Sequence, residues 1–251
     1  AFDMDEAARS YAEPLFDRID GTGGDVLFIG GFGQASFMGG YTRWGYENYL
    51  MALMDYPEAM RRYYHHTALH GRLLNQAIAL ARDRYGIAPF VYSGQDICTS
   101  GGPIISPALL RDIYFPELKW AMEPLVENGI GVIWHCDGNI NPILDDIMDL
   151  GVMGLQGFEE EHGVRYEEIV ELKDKAGRPI SVWGCVSVTS TLPHGSPEDV
   201  RRSVERSFRL AGRGQGFVLS STSSVMPEVP HENIDVMFEH GRRFGREFLT
   251  G

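Results

Sequence analysis

The sequence predicts an α/β protein with a parallel sheet. Six short apolar runs rich in β-branched and aromatic residues alternate with longer stretches that carry the apolar spacing of helices. The run at 131–135 ends in a His, and a Cys and an Asp follow it directly, so polar groups lie together at one edge of a sheet. With 251 residues, 43% of them hydrophobic, the chain can form one large α/β domain or two small ones. Regular alternation of strand and helix favours right-handed βαβ units.

The N-terminal third is predicted to be mainly helical. Apolar residues at helical spacing indicate a surface helix over 1–20, and a first strand follows at 26–29. The glycines at 30–33 bend the chain sharply. A long helix then comes in two pieces, at 44–54 and 57–85, the second beginning with a proline in its first turn.

The middle of the chain carries the clearest boundary signals. A strand at 89–92 opens into a polar, glycine-rich loop at 93–102. Ser106 followed by proline is a helix start, and that helix is predicted to reach about residue 128 with a break at Pro116. The remaining predicted elements are strands at 131–135, 152–155, 180–183 and 216–220, and helices at 142–150, 166–175, 196–211 and 231–248.

Composition limits the partners and the compartment. The net charge is −13, and no basic stripe is present, which argues against nucleic acid and against anionic membrane surfaces and leaves a small-molecule substrate. No apolar run is long enough to cross a bilayer, and the N-terminus lacks a basic segment followed by an apolar one. Three cysteines without a CxxC pair fit a reducing cytoplasm, so we expect a cytoplasmic protein.

The end of the central strand holds the first candidate site. His135 and Asp137 are two positions apart, so in extended backbone their side chains point to the same side. In parallel α/β proteins the chemistry lies at the carboxyl ends of the strands. No strand leads into GxGxxG, so a dinucleotide-binding fold is unsupported, and the strands could form an open doubly wound sheet or most of an eight-stranded barrel.

From about residue 26 onward the order of motifs resembles the uroporphyrinogen decarboxylase-like superfamily, which holds porphyrinogen decarboxylases and methyltransferases that serve corrinoid proteins. The motifs that carry the resemblance are Ser-Gly-Gln-Asp at 93–96, Gly-Pro-Ile-Ile-Ser-Pro at 102–107, Phe-Pro at 115–116, Val-Ile-Trp-His-Cys-Asp-Gly-Asn at 132–139, Asp-Leu-Gly at 149–151, Gly-Leu-Gln-Gly-Phe-Glu at 154–159, Trp-Gly at 183–184, Gly-Ser-Pro-Glu at 195–198 and Val-Pro-His-Glu-Asn at 229–233.

The resemblance implies a (β/α)8 TIM barrel, formed here by a single domain over residues 1–251 with its site at the carboxyl ends of the strands. The first predicted strand resembles the third strand of that barrel, so the first two βα units have no counterpart in this sequence. We therefore expect an incomplete barrel, which is a fragment or is closed by a partner.

The resemblance also implies a metal site. The zinc-dependent members carry His-x-Cys at the central strand and a further Cys after the last strand. This chain has His135 and Asp137 in the first motif and serines in the last turn. The candidate zinc ligands are therefore His135, Asp137, Glu159 and Cys185, because a His, carboxylates and one thiolate suit zinc. The alternative is that His135 and Asp137 bond to each other or to substrate without a metal.

Other candidates bind or orient substrate. Asp96 lies where the resemblance implies an acidic residue that faces the pocket. There it would act as an acid, as a base or as a group that orients the substrate. The equal alternative is that Asp96 only forms hydrogen bonds with the backbone of its own loop. Arg43 beside Trp44 could hold a substrate carboxylate or could be a surface cation stacked on the indole ring. Gln156 and Ser221 complete the predicted substrate-binding set.

Three histidines, His65, His66 and His70, fall on the predicted helix at 57–85. His66 and His70 share a face at helical spacing. They do not accompany a Glu in an HExxH pattern, so we interpret all three as helix-surface residues.

The predicted function is a methyltransferase that moves a methyl group between a small methylated compound and a corrinoid protein or a thiol or folate acceptor, assisted by zinc. The decarboxylase branch needs cations from an N-terminal segment and a His in the turn after the last strand, and neither has a match here. A decarboxylase-type lyase is the enzyme alternative, and a non-catalytic binding or assembly subunit is the other. The sequence leaves the methyl donor, the acceptor and the oligomeric state open, a homo-oligomer included.

Overall fold

The computed structural model describes residues 2–214 and 216–251; Ala1, the first residue of the predicted N-terminal helix, and Gln215, which lies just before the last predicted strand, lie outside them. The chain divides into two compact units. Unit 1 consists of Ala1–Ile97, Pro103–Trp134 and Pro142–Val152, and unit 2 consists of Cys98–Gly102, His135–Asn141 and Met153–Gly251.

Unit 1 contains seven α-helices among its described residues, and α4 packs against both α1 and α6. Asp3 caps the first helix, since its carboxylate accepts a hydrogen bond from the Glu6 backbone N at 3.0 Å. Pro57 begins the longest helix and the left-handed Gly86 ends it. The helices are α1 Met4–Gly21, α2 Gly39–Trp44, α3 Tyr46–Asp55, α4 Pro57–Tyr85, α5 Pro107–Ile113, α6 Phe115–Glu127 and α7 Leu144–Asp149.

The glycines at 30–33 bend the chain because they pass very close to α4. A Cβ atom on Gly33 would lie 2.0 Å from the backbone oxygen of Gly71. Buried Asn75 holds the same contact, since its Oδ1 accepts from the Gly33 N at 2.7 Å and its Nδ2 donates to the Gly33 O at 2.8 Å. The predicted bend is therefore a backbone-to-backbone packing contact inside unit 1.

The strands form a five-stranded parallel sheet in the order β1-β4-β5-β6-β7 and a two-stranded ribbon of β2 and β3. Strand β4 runs from unit 1 into unit 2. In unit 2, Gln156 of β5 pairs with Trp183 of β6, and Cys185 of β6 pairs with Ser220 of β7. The strands are β1 Phe90–Gly94, β2 Cys98–Thr99, β3 Gly102–Pro103, β4 Gly131–Gly138, β5 Gly154–Phe158, β6 Ser181–Val186 and β7 Phe217–Ser221.

The predicted strand at 26–29 is wrong. In the described structure this segment joins no ladder; the nearest pairing is a single hydrogen bond from the Tyr92 N to the Gly30 O at 3.1 Å. Its apolar side chains are also largely outside the core, with Val26 46% and Leu27 61% exposed. An apolar run forms a strand only where a neighbouring strand supplies hydrogen bonds along its length.

Unit 2 packs α10 and α11 together on the β6–β7 part of the sheet. A capping box formed by Ser196 and Asp199 starts α10. The core of this layer is built from Val186, Leu192, Val200, Val204, Val229 and Met237. The helices of the unit are α8 Tyr166–Ile169, α9 Thr191–His194, α10 Pro197–Ala211 and α11 His231–Thr250.

The predicted helix at 166–175 ends after its first turn. The Asp174 carboxylate accepts hydrogen bonds from the backbone N atoms of Ala176 and Arg178, each at 2.9 Å. These bonds, with a left-handed Gly177 at φ +76°, close a tight turn in place of two further helical turns.

Among the described residues, none of the helices combines the length and the apolar character that crossing a membrane requires.

Candidate functional site

Four polar side chains of unit 2 form two hydrogen-bonded pairs that meet at the carboxyl ends of three strands. His135 and Asp137 lie on the last part of β4, Gln156 lies on β5, and Ser223 follows β7. We call these four residues the His135 cluster. The predicted carboxyl-end site is thus placed where parallel sheets concentrate their chemistry.

The amide of Gln156 fixes the orientation of His135. The side chain is only 7% exposed, and its Nε2 donates to the backbone oxygens of Ser221 at 3.1 Å and Thr222 at 2.7 Å. Because both of these partners are acceptors, the amide nitrogen must face them and Oε1 must face the other way. Oε1 is hydrogen-bonded to His135 Nδ1. An amide oxygen only accepts, so Nδ1 carries a proton, and in the neutral ring the lone pair is on Nε2.

Asp137 lies opposite that second ring nitrogen. Its Oδ1 is 3.6 Å from His135 Nε2, and its Oδ2 accepts a hydrogen bond from Ser223 Oγ at 2.9 Å. The side chains of His135 and Asp137 are 19% and 34% exposed, and the Oδ1 atom of Asp137 is buried. The cluster therefore presents a nitrogen and a carboxylate oxygen to the same space. Hydrogen bonds with the neutral side chains of Gln156 and Ser223 fix the two groups on their other sides.

Gly157 leaves room for this arrangement. A Cβ at position 157 would lie 2.5 Å from His135 Nδ1 and 3.1 Å from Asp137 Oδ1. The residue also has φ +100°, in the region that favours glycine. Any larger residue at this position would displace His135.

Glu159 lies beside the cluster at the end of β5. Burial raises the pKa of its carboxyl, the charge of His162 opposes this, and the charges of Asp137 and Glu161 add to it. Its Oε2 pairs with His162 Nε2 at 3.1 Å. A carboxyl with a raised pKa holds its proton more readily than an ordinary Glu, which is the property that general acids use.

Cys185 lines a separate pocket of about 220 Å³ within unit 2. Burial and the charge of Glu160 raise the pKa of its thiol, although a hydrogen bond with Tyr166 partly opposes this. Arg206, which also lines the pocket, is neutralised by Glu160 and Glu167 at 2.7 to 2.8 Å. The thiol thus lies in a separate pocket, and its role as a zinc ligand stays a prediction.

Zinc binds nitrogen, thiolate and carboxylate oxygen ligands. His135 offers Nε2 and Asp137 offers Oδ1, 3.6 Å apart and at the edge of the space that Gly157 leaves open. A nitrogen and a carboxylate oxygen are both ordinary zinc ligands. The backing bonds from Gln156 and Ser223 orient the two ligands in the way that outer-shell partners do in metal sites. The two side chains fit zinc as ligands, and Glu159, which pairs with His162, stays a predicted third ligand.

Three predicted site residues belong to unit 1 and are placed as follows. Asp96 lies two residues after β1, half-buried, and its backbone N contacts Met38 Sδ at 3.4 Å. The guanidinium of Arg43 lies 5.9 Å from the ring centroid of Trp44, which is the stacked arrangement considered as the alternative to substrate binding. Roles for these three in binding or catalysis remain predictions.

The structure adds contacts that sequence patterns do not give. Ser221, predicted to bind substrate, donates its hydroxyl to the Ser223 backbone O at 2.7 Å and offers its own carbonyl to Gln156. Ser223 and Gly157 were not predicted at all. The serine-rich turn and the conformational freedom of glycine were the only signals available for them.

The fold and the site define an α/β protein with a parallel sheet and an ionisable cluster at the carboxyl ends of its strands, the position where enzymes of this class bind their ligands. The profile described as uroporphyrinogen decarboxylase (URO-D) matches residues 23–244, so the chain belongs to the uroporphyrinogen decarboxylase family. Membership confirms the predicted superfamily and indicates an enzyme.

Similarity to solved structures agrees with this assignment. A methyltransferase from Methanosarcina mazei superposes with a TM-score of 0.71 at 19% sequence identity, over 94% of this chain and 64% of the other. The α/β class is thereby confirmed, and the five parallel strands are consistent with part of a TIM barrel. The chain spans less than two thirds of that structure. A comparison with curated proteins gave no match.

Proposed function

We propose that the protein transfers a methyl group between a small O-, N- or S-methyl compound and a corrinoid carried by a partner protein, or a thiol or folate acceptor. The observation that carries this is the His135 cluster, in which Gln156 fixes the ring so that the Nε2 lone pair faces Asp137. The similar fold of an archaeal methyltransferase supports the same reaction class.

The residues of the cluster have separate roles in this proposal. His135 Nε2 and Asp137 Oδ1 would hold a zinc ion, with Glu159 as a further candidate ligand. The bound ion would act as a Lewis acid on the heteroatom that gives up or receives the methyl group. Gln156 keeps the His135 proton on Nδ1, and Ser223 keeps the Asp137 carboxylate turned toward the ring. As the alternative to binding zinc, Glu159, with its raised pKa, would pass a proton to or from that heteroatom.

The roles of the unit 1 residues in this reaction rest on the family resemblance alone. Asp96 would orient the substrate, and Arg43 with Trp44 would bind a substrate carboxylate. Replacing Asp96 by Asn in the activity assay described below tests the first of these roles, since loss of turnover with unchanged metal content separates orientation from ligation.

The charge pattern favours methyl transfer over decarboxylation of a porphyrinogen. Residues 135–139, 156–159, 184–187 and 220–224, which follow or end β4 to β7, contain no Arg or Lys. The best-placed cation of the unit, Arg206, is already paired with two carboxylates. A substrate with many carboxylates needs unpaired cations at the site. A decarboxylase-type lyase, which the family description names, remains the second candidate.

Elemental analysis and one activity assay test the proposal. We expect about one zinc per chain in the wild-type protein, lost in His135→Ala and retained in His231→Ala, whose histidine is exposed at the start of α11. With a methylated donor, the visible spectrum of added reduced cobalamin should change to that of methylcobalamin, and His135→Ala should abolish the change.

The outcomes separate the candidates. Formation of a coproporphyrinogen from uroporphyrinogen, without any change of the corrinoid spectrum, would replace the methyltransferase by the lyase. Wild-type protein that binds no zinc and has neither activity would favour a binding or assembly subunit.

A further inference from the structure

A second pocket, of about 530 Å³, opens in unit 1 between the segment 36–43 and helix α4. Its wall carries three basic side chains, Arg43, His66 and His70, and the hydroxyls of Thr42, Tyr63 and Thr67. No Asp or Glu is among the lining residues. This is unusual in a chain with a net charge of −13.

The basic groups of this pocket are not neutralised by the protein. Among the residues that the structure describes, Arg43, His66 and His70 make no ion pair with any carboxylate. Their neighbours on α4 behave differently: Arg61 pairs with Asp112 at 3.0 Å, and His65 pairs with Glu117 at 3.0 Å. The three basic groups that line the pocket are thus left without a carboxylate partner among the described residues.

Two elements bring these groups together. His66 and His70 are one turn apart on α4, with ring centroids 4.9 Å apart, and Arg43 lies at the end of α2. The wall between them is fixed by hydrogen bonds, since Tyr63 donates to the Ser36 O at 3.0 Å and the Ser36 N donates to Thr67 Oγ1 at 3.1 Å. Burial raises the pKa of Tyr63, and the charge of Arg43 opposes this, so the guanidinium acts on the same space as the phenol.

We propose that this pocket binds a phosphate group, either as free phosphate or as part of a small phosphorylated compound. An Arg fork and two imidazoles that approach from different elements suit the several oxygens of a tetrahedral anion, whereas a single carboxylate would need the Arg alone. The volume exceeds what inorganic phosphate fills, so it leaves room for the rest of a small organic ligand. The inference concerns unit 1 and does not depend on methyl transfer.

Calorimetric titration with inorganic phosphate at low ionic strength tests this proposal, with chloride at matched ionic strength as the blank. We expect one phosphate per chain. Arg43→Gln should weaken binding roughly tenfold or more, because it removes a charge-assisted pair. The double variant of His66→Asn and His70→Asn should weaken it as well. Arg62→Gln, on the same helix but outside the pocket, is the matched control and should bind as the wild type does.

A parallel titration with glycerol phosphate distinguishes the two sources. Tighter binding of this monoester would assign the pocket to a phosphorylated compound, and tighter binding of inorganic phosphate would assign it to the free ion. Equal weakening by Arg62→Gln, or no heat above the chloride blank, would overturn the proposal. So would ring signals of His66 and His70 that respond to Zn²⁺ and not to phosphate, since the pair would then chelate a cation. The titrations measure phosphate binding without turnover, so their failure would leave the zinc and activity tests of the His135 cluster unaffected.

Discussion

Replacing Gln156 by Leu should change the protonation pattern of His135 while leaving the chain folded. The wild-type amide makes three hydrogen bonds, one to the imidazole and two to backbone oxygens of the turn after β7. Leu has a similar volume and can make none of them. The ring then loses the acceptor that holds its proton on Nδ1.

The size of the effect follows from these contacts. Each bond contributes about 0.5–1.5 kcal/mol net, and burial of the apolar Leu side chain returns part of the loss, so we expect the free energy of unfolding to fall by about 1–3 kcal/mol. For a chain of this size that corresponds to a melting temperature lower by about 2–12 °C. The single bond to the ring changes the ratio of the two neutral tautomers by about two- to thirteenfold.

Nitrogen-15 NMR of the metal-free protein measures the tautomer directly, because protonated and unprotonated ring nitrogens give separate signals. The His135 signals are identified by their absence in His135→Asn. At a pH where the ring is neutral, wild type should carry the proton on Nδ1, and Gln156→Leu should populate the form with the proton on Nε2. Gln76→Leu, an exposed position on α4, is the matched control and should change neither the tautomer nor the melting temperature.

Two results would refute the reasoning. The first is a wild-type ring protonated on Nε2, which would mean that the amide faces the opposite way. The second is an unchanged tautomer ratio in Gln156→Leu, which would mean that another contact controls the ring.

Three further predictions concern the surroundings of the cluster. Gly157→Ala should destabilise the protein by about 2–5 kcal/mol and lower its metal content, because the new Cβ meets His135 and φ is positive. The control is Gly177→Ala, which has φ +76° but open space around it. Thermal melts of this control should show only the smaller cost of the backbone conformation. The pKa of Glu159 is raised, so its charged form is disfavoured in the folded state, and Glu159→Gln should gain stability relative to wild type as the pH rises above the usual carboxyl range; a constant difference across pH would contradict this. Burial would raise the pKa of Glu161, but hydrogen bonds from nearby serines outweigh burial, so the pKa is lowered. Glu161→Gln should therefore be less stable than wild type at neutral pH. In urea titrations the difference in the free energy of unfolding should shrink as the pH becomes acidic.

Much of the fold follows from patterns that act locally. The strands of the sheet were predicted where β-branched runs meet glycines, and the starts of α4 and α5 were predicted from Pro57 and from Ser106 followed by proline. The segment 26–29 has the same apolar character but failed, because a strand also needs a neighbour in space. The helix at 166–175 failed because Asp174 bonds the backbone ahead of it.

The site was predictable only in part, for the same reason. Strand alternation alone places His135 and Asp137 on one side, and the structure has them facing each other at 3.6 Å. The role of Gln156 depends on two carbonyls that lie 65 and 66 residues further along the chain. No local pattern indicates which way an amide points when its partners come from a distant turn. The pocket around Arg43 was missed similarly, because it needs α2 and α4 side by side.

The bonds that Gln156 makes to the turn after β7 reach main-chain oxygens and no side chain. Substitutions in that turn therefore leave these hydrogen bonds intact as long as the path of the backbone is kept. Ser221→Ala, for example, would leave both acceptors in place. A proline or an inserted residue would move the acceptors and release the amide. Apart from Ser223, whose hydroxyl holds Asp137, relatives could thus change the residues of this turn while preserving its length, without releasing the amide of Gln156.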